Sequence, residues 1–287
     1  MNNNLKCRGC HLCNGEACKG ELPGMGGVLM STIFIENVKA WHKYYIKEEK
    51  EIKCAKIRLA PMAGGVQNIG WYDEKDFYLS MINACSFANL SLSIGDGAPD
   101  EKLTFGILAL KSVNKKGAVF LKPYPQNKLL TRIERVKNQA EIVGIDTDSY
   151  NIITMRKQVL LEKKTPKQLL EIKKQSKLPF AVKGVFDKED IEIVKELKPE
   201  IAIISNHGGR IDRFVKSSAD FLKEHGSEIA KYVDEIWVDG GIRTKEDILA
   251  ASYLGAKEIL IGRPIISAMV RGGKEEVKKF IDKLRIN

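Results

Sequence analysis

Eight short apolar segments rich in strand-forming residues recur along the chain after residue 55. They read KIRLAPMAG (56–64), NLSLSIGDG (89–97), GAVFLKPY (117–124), EIVGIDTD (141–148), PFAVKG (179–184), IAIISNHGG (201–209), EIWVDGG (235–241) and EILIGRP (258–264). Near-continuous apolar runs are typical of strands that are buried on both faces of a parallel sheet. The pattern therefore predicts eight parallel strands.

Helical patterns separate these segments, as in TPKQLLEIKKQ (165–175), DKEDIEIVKEL (187–197) and TKEDILAASYLG (244–255). Their starts carry N-cap signals at Asp187 and Thr244, with Asp190 and Asp247 three residues further on. Pro166, after Thr165, suits a first helical position. Gly255 suits the left-handed conformation that ends a helix. Each strand is thus followed by a helix.

Eight successive strand–helix units close naturally into a TIM (βα)8 barrel, an α/β fold. A doubly wound open sheet is the competing architecture, but it seldom has eight such regular units, and no G-x-G-x-x-G sequence follows the first strand. The sequence favours the barrel. We expect it to span residues 56–287, after a Cys-rich N-terminal extension and lead-in helix at 1–55.

Unusual polar residues lie at the carboxyl ends of the predicted strands. They are Lys183, His207, Arg210, Asp239, Arg243 and Arg263. In a TIM barrel these ends form the active-site face. The same residues at the strand starts would indicate a role in stability.

The segments VDGGIRT after strand seven and IGRP after strand eight predict a phosphate site. Paired glycines let backbone N–H groups approach a ligand, and a helix N-terminus after Gly262 favours an anion. Arg243 and Arg263 can add charge-assisted hydrogen bonds. TIM barrels repeatedly bind phosphate at these two loops, so the pattern indicates a phosphorylated ligand without specifying which one.

The segment SNHGGR (205–210) combines a base with a carboxylate-binding group. Imidazole is well matched to proton transfer near neutral pH, and the guanidinium of Arg210 offers a planar fork for a carboxylate. The two glycines between them leave space for a substrate. A 2-hydroxy acid requires such a pair.

In this order and at these intervals, KGV, SNHGGR, VDGGIRT and LGAKEILIGRP resemble the FMN-dependent α-hydroxy-acid oxidase/dehydrogenase family, which includes glycolate oxidase, lactate oxidase and the flavin domain of flavocytochrome b2. The resemblance is strong over about residues 178 to 272, and weaker but collinear from about 56 to 178.

The resemblance implies specific roles. His207 matches the catalytic base, Asp146 the carboxylate that orients it, Arg210 the substrate-carboxylate ligand and Lys183 the lysine beside flavin N1 and O2. The remaining FMN contacts that it implies are Pro61, Met62, Ala63, Lys122, Ser205, Asp239, Gly240, Gly241, Arg243, Gly262 and Arg263.

The substrate side departs from the family pattern. The segment from Thr147 to Pro166 is short where the family has a long lid, and Arg156 is a loose match to a second substrate arginine. Lys122 and Tyr124 stand where the family has Gln and Tyr on strand three. We therefore do not expect glycolate or lactate by default.

Four of the six cysteines, Cys7, Cys10, Cys13 and Cys18, form a C-x2-C-x2-C-x4-C cluster. Such spacing favours thiolates that converge on one ion or cluster. A [4Fe–4S] cluster, a structural zinc and free or redox-active thiols all remain open, although a cluster would give reduced FMN a one-electron acceptor. Cys54 and Cys85 lie in apolar or helical context and are expected to be inert.

The chain has 287 residues, of which 44% are hydrophobic, and a formal net charge of +10. Scattered lysines supply most of this charge, so we expect a solvated surface and not a nucleic-acid site. The N-terminus lacks the apolar core of a signal peptide, and no apolar run approaches the roughly 18 residues of a membrane span. We expect a cytoplasmic protein with no membrane or nucleic-acid partner.

The leading hypothesis is an FMN-dependent enzyme that oxidises a small 2-hydroxy acid to the 2-oxo acid. An FMN-dependent isomerase of the type 2 isopentenyl-diphosphate isomerase kind and a non-catalytic phosphate- or metal-binding barrel are the alternatives. The sequence does not specify the hydroxy acid, the electron acceptor, a hydride or carbanion mechanism, or whether the chain forms a homo-oligomer.

Overall fold

The computed structural model describes residues 32–47, 52–152, 159–211 and 214–286. All eight predicted strands are present and parallel. They are β1 (Lys56–Leu59), β2 (Ser93–Gly95), β3 (Gly117–Leu121), β4 (Ala140–Asp146), β5 (Phe180–Val185), β6 (Ile201–Ile204), β7 (Glu235–Asp239) and β8 (Glu258–Ile261).

Helices lie between and around the strands. They are α1 (Thr32–Lys39), α2 (Gly65–Ile69), α3 (Glu74–Phe87), α4 (Glu101–Ser112), α5 (Gln126–Val136), α6 (Pro166–Ser176), α7 (Lys188–Leu197), α8 (Ser218–Ile229), α9 (Lys245–Tyr253) and α10 (Arg263–Leu284). Short 3-10 turns occur at Ala40–Tyr44 and Ser149–Asn151, and α10 is kinked at Gly272 and Gly273.

The helix-start signals in the sequence are confirmed by hydrogen bonds. Thr165, Asp187 and Thr244 each form a reciprocal capping box with the third residue of the following helix. Pro166 opens α6, and Gly255 follows α9 with a φ of +103°. Local side-chain chemistry therefore fixes where these helices begin and end.

The strands pair in the order β1-β8-β7-β6-β5-β4-β3-β2. Between β1 and β2 the contact is a bridge from Arg58 to Ser91, with the Leu59 amide donating to the Ser91 carbonyl at 2.9 Å. The sheet is thus a nearly closed barrel, which confirms the TIM-barrel prediction.

Bulky side chains fill the interior of the barrel. This inner cluster consists of Ala118, Phe120, Ala181, Ile201, Ile203, Trp237 and Leu260. At the amino ends of the strands, the buried Arg58 guanidinium pairs with Glu258 at 2.9 Å and Glu141 at 2.8 Å, and lies over the Trp237 ring. These side chains fill the amino ends of the strands, which form the floor of the barrel. A functional site is therefore expected at the carboxyl ends of the strands.

Among the described residues, no helix is both long and apolar enough to cross a membrane. Cys85 is buried in α3, and its burial raises the pKa of the thiol, as expected for a packed cysteine. Cys54 is half-buried. The clustered cysteines at 7–18 lie outside the described residues.

Candidate active site

A cavity of about 380 Å³ opens at the carboxyl ends of the strands. Its walls include the residues predicted from the sequence, namely Pro61, Met62, Ala63, Lys122, Asp146, Lys183, His207, Arg210, Asp239, Gly240, Gly241, Arg243, Gly262 and Arg263. Ser205 lies buried behind the wall, where it accepts a hydrogen bond from Lys183. The structure therefore brings the predicted site together at one end of the barrel.

One end of the cavity is built to receive an anion. Arg210, Arg243 and Arg263 line the same space, and Nη1 of Arg263 is buried without a hydrogen-bond partner. Burial, together with repulsion from Arg243 and Arg210, holds the pKa of the Arg263 guanidinium well below its ordinary value. A bound anion would relieve this repulsion, as a phosphate does in arginine-lined sites.

Glycines allow the backbone to approach closely at this end. Gly240 and Gly241 have φ values of +101° and +85°, and a Cβ on Gly241 would lie 1.7 Å from the Asn37 carbonyl oxygen. A Cβ on Gly208 would lie 2.2 Å from Nη2 of Arg263. Larger residues at Gly241 or Gly208 would displace α1 or the arginine.

Helix α1 and the turn after it hold the anion end in place. The Phe34 ring lies 3.7 Å from the Arg263 guanidinium carbon, and Trp41 donates from Nε1 to the Gly240 carbonyl at 2.9 Å. Asn37 and Asn206 exchange two amide hydrogen bonds of 2.9 and 3.0 Å. The lead-in helix thus supports the loop that carries His207.

His207 lies between two carboxylates in a left-handed backbone conformation, with φ of +52°. Its Nδ1 is 2.7 Å from Oδ2 of Asp148, and its Nε2 is 2.9 Å from Oδ2 of Asp146. Left-handed conformations are costly for residues other than glycine and occur often at functional sites. The Asn206 carbonyl, which accepts from the Gly209 amide at 3.0 Å, closes this turn.

Two lysines balance the charge of Asp146. Lys183 lies 3.2 Å from Oδ1 of Asp146, and Lys122 lies 3.4 Å from its Oδ2. Lys183 also donates to Ser205 at 2.9 Å and lies 3.4 Å from Asp239. Asp146, His207 and Lys183 therefore form one hydrogen-bonded group at the cavity wall.

The electrostatics differ between the two carboxylates. Burial acts to raise the pKa of Asp146, but attraction to His207, Lys183 and Lys122 outweighs it and holds that pKa well below the usual range. Burial raises the pKa of Asp148, and His207 offsets this only in part. Burial opposes the charged form of His207, but Asp146 and Asp148 attract it more strongly and raise its pKa.

Asp146, Asp148 and His207 also place three atoms that could bind a metal, two carboxylate oxygens and one imidazole nitrogen, within 4.8 Å of one another. The ammonium groups of Lys122 and Lys183 beside Asp146 already supply the positive charge. Both imidazole nitrogens are engaged by carboxylates. We therefore interpret this cluster as a proton-transfer site.

The sequence prediction missed Asp148 and Asn37. Asp148 lies two residues after Asp146, in the turn that follows β4, so a second carboxylate close to Asp146 was a signal available in the sequence. Asn37 reaches Asn206 across 169 residues, which no local pattern reveals. Tyr124 is buried beneath Lys128 and Arg132 and is not part of the cavity wall, and Arg156 lies outside the described residues.

The residues present fit FMN. The arginine-lined end with its close-approach glycines suits a phosphate, and the buried Lys183 ammonium suits the electron-rich edge of a flavin. The unpartnered Nη1 of Arg263 is a donor that such a phosphate would satisfy. The fold and the site together thus define a TIM barrel with an arginine-lined pocket and a histidine between two carboxylates at its mouth.

A family model described as FMN-dependent dehydrogenase matches residues 112–287. This stretch covers more than half of the chain, and the protein belongs to that family. The resemblance found in the sequence is therefore confirmed.

Curated relatives are similar over a shorter stretch. 2-Hydroxyacid oxidase 2 of Bos taurus is 40% identical over 110 residues, which are 38% of this chain and 31% of that protein. L-lactate dehydrogenase (cytochrome) of Saccharomyces cerevisiae is 38% identical over 125 residues, 42% of this chain and 21% of that protein. The matched stretches thus span a third or less of these relatives.

Solved structures share the fold over most of the chain. A mandelate oxidase structure with (S)-2-phenylpropionate superimposes with a TM-score of 0.66 and 19% identity, and covers 88% of this chain and 83% of that one. At this identity the likeness concerns the fold alone.

Proposed function

We propose that this protein is an FMN-dependent oxidoreductase that converts a small 2-hydroxy acid into the 2-oxo acid. The observation that carries the proposal is the arrangement of His207 in a cavity that Arg210 also lines, with an arginine-rich phosphate end beside it. The family membership and the hydroxy-acid oxidases among the relatives support it.

The oxidation removes two electrons and two protons from the substrate, and FMN, when bound, would supply the acceptor for both electrons and for the proton that His207 does not take. Arg210 holds the substrate carboxylate through its planar fork. His207 accepts a proton from the hydroxyl group or the α-carbon, and the imidazolium that forms is stabilised by Asp146. Lys183 contributes a buried positive charge at the cavity wall.

FMN would be held by residues from several loops. Arg243, Arg263 and the Gly240–Gly241 pair suit the phosphate and ribityl chain. The 60–64 segment, which contains Pro61, Met62 and Ala63, would enclose the ring together with Lys122, which follows β3. Ser205 would act from behind Lys183 by orienting its ammonium group.

Anaerobic titration with 2-hydroxy acids tests the proposal. We expect the purified protein reconstituted with FMN to show flavin absorption, and at least one 2-hydroxy acid to bleach it in proportion to the 2-oxo acid formed. Reoxidation by oxygen or by a one-electron dye then identifies the class of acceptor. Stable flavin absorption with no bleaching by any 2-hydroxy acid contradicts the proposal and favours a redox-neutral isomerase, whereas failure to bind FMN favours a non-catalytic barrel.

For Cys7, Cys10, Cys13 and Cys18 the proposal rests on the sequence alone. Their spacing suits either a [4Fe–4S] cluster, which would carry electrons singly from the flavin, or a structural zinc. Iron, sulfide and zinc analysis of anaerobically purified protein distinguishes the two. Absence of all three supports free thiols.

A further inference from the structure

We propose that Asp148 is a positioning residue for His207, whose carboxylate fixes the imidazole through Nδ1 and supplies a counter-charge to the imidazolium formed during oxidation. The inference rests on the proposed function, since it assigns a role in that reaction to a residue outside the cavity wall. Asp146, to which the family resemblance gives this task, contacts the other nitrogen.

The contact geometry places Asp148 behind the imidazole. Its carboxylate is completely buried and lies 2.7 Å from Nδ1 of His207. Asp146 and His207 line the cavity, whereas Asp148 does not. The Nδ1 side of the ring therefore faces the protein interior, and the Nε2 side is the one nearer to a substrate.

The surrounding backbone prevents Asp148 from turning away. A Cβ on Gly184, which has a φ of +97°, would lie 2.2 Å from Oδ1 of Asp148, so only glycine leaves room for the carboxylate. The Asn151 amide donates to the Asp148 carbonyl at 2.9 Å, and Thr147 donates from both its amide and its hydroxyl to the Lys183 carbonyl. Both flanks of Asp148 are thereby fixed.

The balance of charge separates the roles of the two carboxylates. Asp146 is shared among His207, Lys122 and Lys183. Among the described residues, the Asp148 carboxylate makes its side-chain hydrogen bond to His207 through Oδ2. Oδ1 of Asp148 has no hydrogen-bond partner among these residues. Lys183 and Asp146 act on Asp148 only at longer range. The imidazole is thus the direct partner of an otherwise isolated buried charge.

Separate functions follow for the two contacts. When His207 is neutral, Nδ1–H donates a hydrogen bond to Asp148, which leaves the lone pair on Nε2 and gives the tautomer that a general base needs. When Nε2 has taken a proton, Asp146 at 2.9 Å accepts it as a hydrogen bond. Replacement of Asp148 by an uncharged amide removes attraction for the imidazolium and the preference for this tautomer.

NMR titration of the full chain with FMN added tests the inference without recourse to turnover. Protein labelled with 15N-histidine is titrated, and His207 is assigned by its loss in His207→Gln. In the wild type we expect the neutral ring to carry its proton on Nδ1. Asp148→Asn should lower the imidazolium pKa of His207 by about one unit or more, because an opposite charge within a few ångströms shifts a pKa by about 1–3 units. Asp282→Asn, on the surface of α10, is the matched control and should leave it unchanged.

Kinetics then separate positioning from a structural role. For Asp148→Asn we expect kcat for flavin reduction to fall by about 100-fold, the range of a misplaced general base, with KM nearly unchanged because Arg210 is untouched. The acid limb of the kcat/KM profile should move to lower pH together with the His207 pKa.

Three results would overturn the role of Asp148: a wild-type neutral ring with its proton on Nε2, an unchanged His207 pKa in Asp148→Asn, or an equal loss in kcat and FMN affinity. The first needs no Asp148 variant, so failure of Asp148→Asn to fold does not leave the inference untested. A shifted His207 pKa in a protein that no 2-hydroxy acid reduces would support the Asp148–His207 coupling and overturn the proposed reaction.

Discussion

Arg263 is a buried guanidinium among other cations, with Asp239 as a partial counter-charge. The Phe34 ring covers one face of it, and Nη1 is left without a partner. An arrangement that is unfavourable without a ligand is typical of a site built for an anion, because the ligand supplies the missing charge. We therefore expect Arg263 to contribute to ligand binding and not to the stability of the fold.

Arg263→Met should weaken FMN binding by about 10- to 100-fold, as expected for the loss of a charge-assisted hydrogen bond worth about 1.5–3 kcal/mol. The affinity for riboflavin, which lacks the phosphate, should change little. Fluorescence titration measures both, with Arg135→Met on the exposed face of α5 as the control. Equal losses for FMN and riboflavin would show that Arg263 does not contact the phosphate.

The sequence predicted the site residues that lie at strand ends, because a parallel barrel brings those ends together. Lys183, His207 and Arg210 were found in this way, and all three line the cavity. Asp148 and Asn37 were not found, since their importance arises from contacts with residues 59 and 169 positions away. The two-residue spacing from Asp146 was a usable signal for Asp148, whereas no residue type or spacing indicates the pairing of Asn37 with Asn206.

Among the elements, α1 illustrates how a segment outside the barrel positions the site. Its Asn37 bonds Asn206 and also accepts from the Ser218 amide at 2.9 Å, so it ties together the loop after β6 and the start of α8. Its backbone touches Gly241 in the loop after β7. Close packing at this point depends on the absence of a side chain on Gly241.

Gly241→Ala should lower the free energy of unfolding by about 3 kcal/mol or more, because it combines left-handed strain with a clash against α1. Gly255→Ala is the matched control. It has a similar positive φ of +103° but no atom within 4 Å of the added carbon, so it should cost about 1–2 kcal/mol. Urea unfolding without FMN measures both, and equal losses would show that the clash with α1 is absent in solution.

The predicted strands were correct in number and order but too long at their carboxyl ends. The segment at 56–64 was expected to be strand, whereas β1 ends at Leu59 and the residues after it line the cavity. Apolar residues that contact a ligand resemble a continuing strand in sequence, because both are buried. Helix starts were predicted more closely, since a capping box is a local interaction.

Over the whole molecule, the two ends of the barrel have different tasks. The floor holds the buried Arg58 with Glu258 and Glu141, and none of these three residues lines the cavity. Burial raises the pKa of Glu258, and Arg58 opposes this shift. In TIM barrels the amino ends of the strands serve stability and the carboxyl ends serve chemistry.

Arg58→Met should therefore reduce the free energy of unfolding by about 3–5 kcal/mol, because it leaves Glu258 buried without its cation. The rate of flavin reduction in the folded fraction should not change. Addition of Glu258→Gln to this variant should restore part of the stability, since the unpaired charge is removed. A large loss of rate in Arg58→Met at temperatures where it is fully folded would contradict the separation of the two ends.

The role of His207 as the base is tested by the anaerobic rate of flavin reduction by a 2-hydroxy acid in His207→Gln, measured by stopped flow against wild type and against His225→Gln. His225 lies on α8 beside Phe221 and serves as the control. If His207 is the base, His207→Gln should bind FMN normally and reduce it about 100- to 10,000-fold more slowly, while His225→Gln matches the wild type. Reduction of the flavin in His207→Gln at the wild-type rate would show that His207 is not the base.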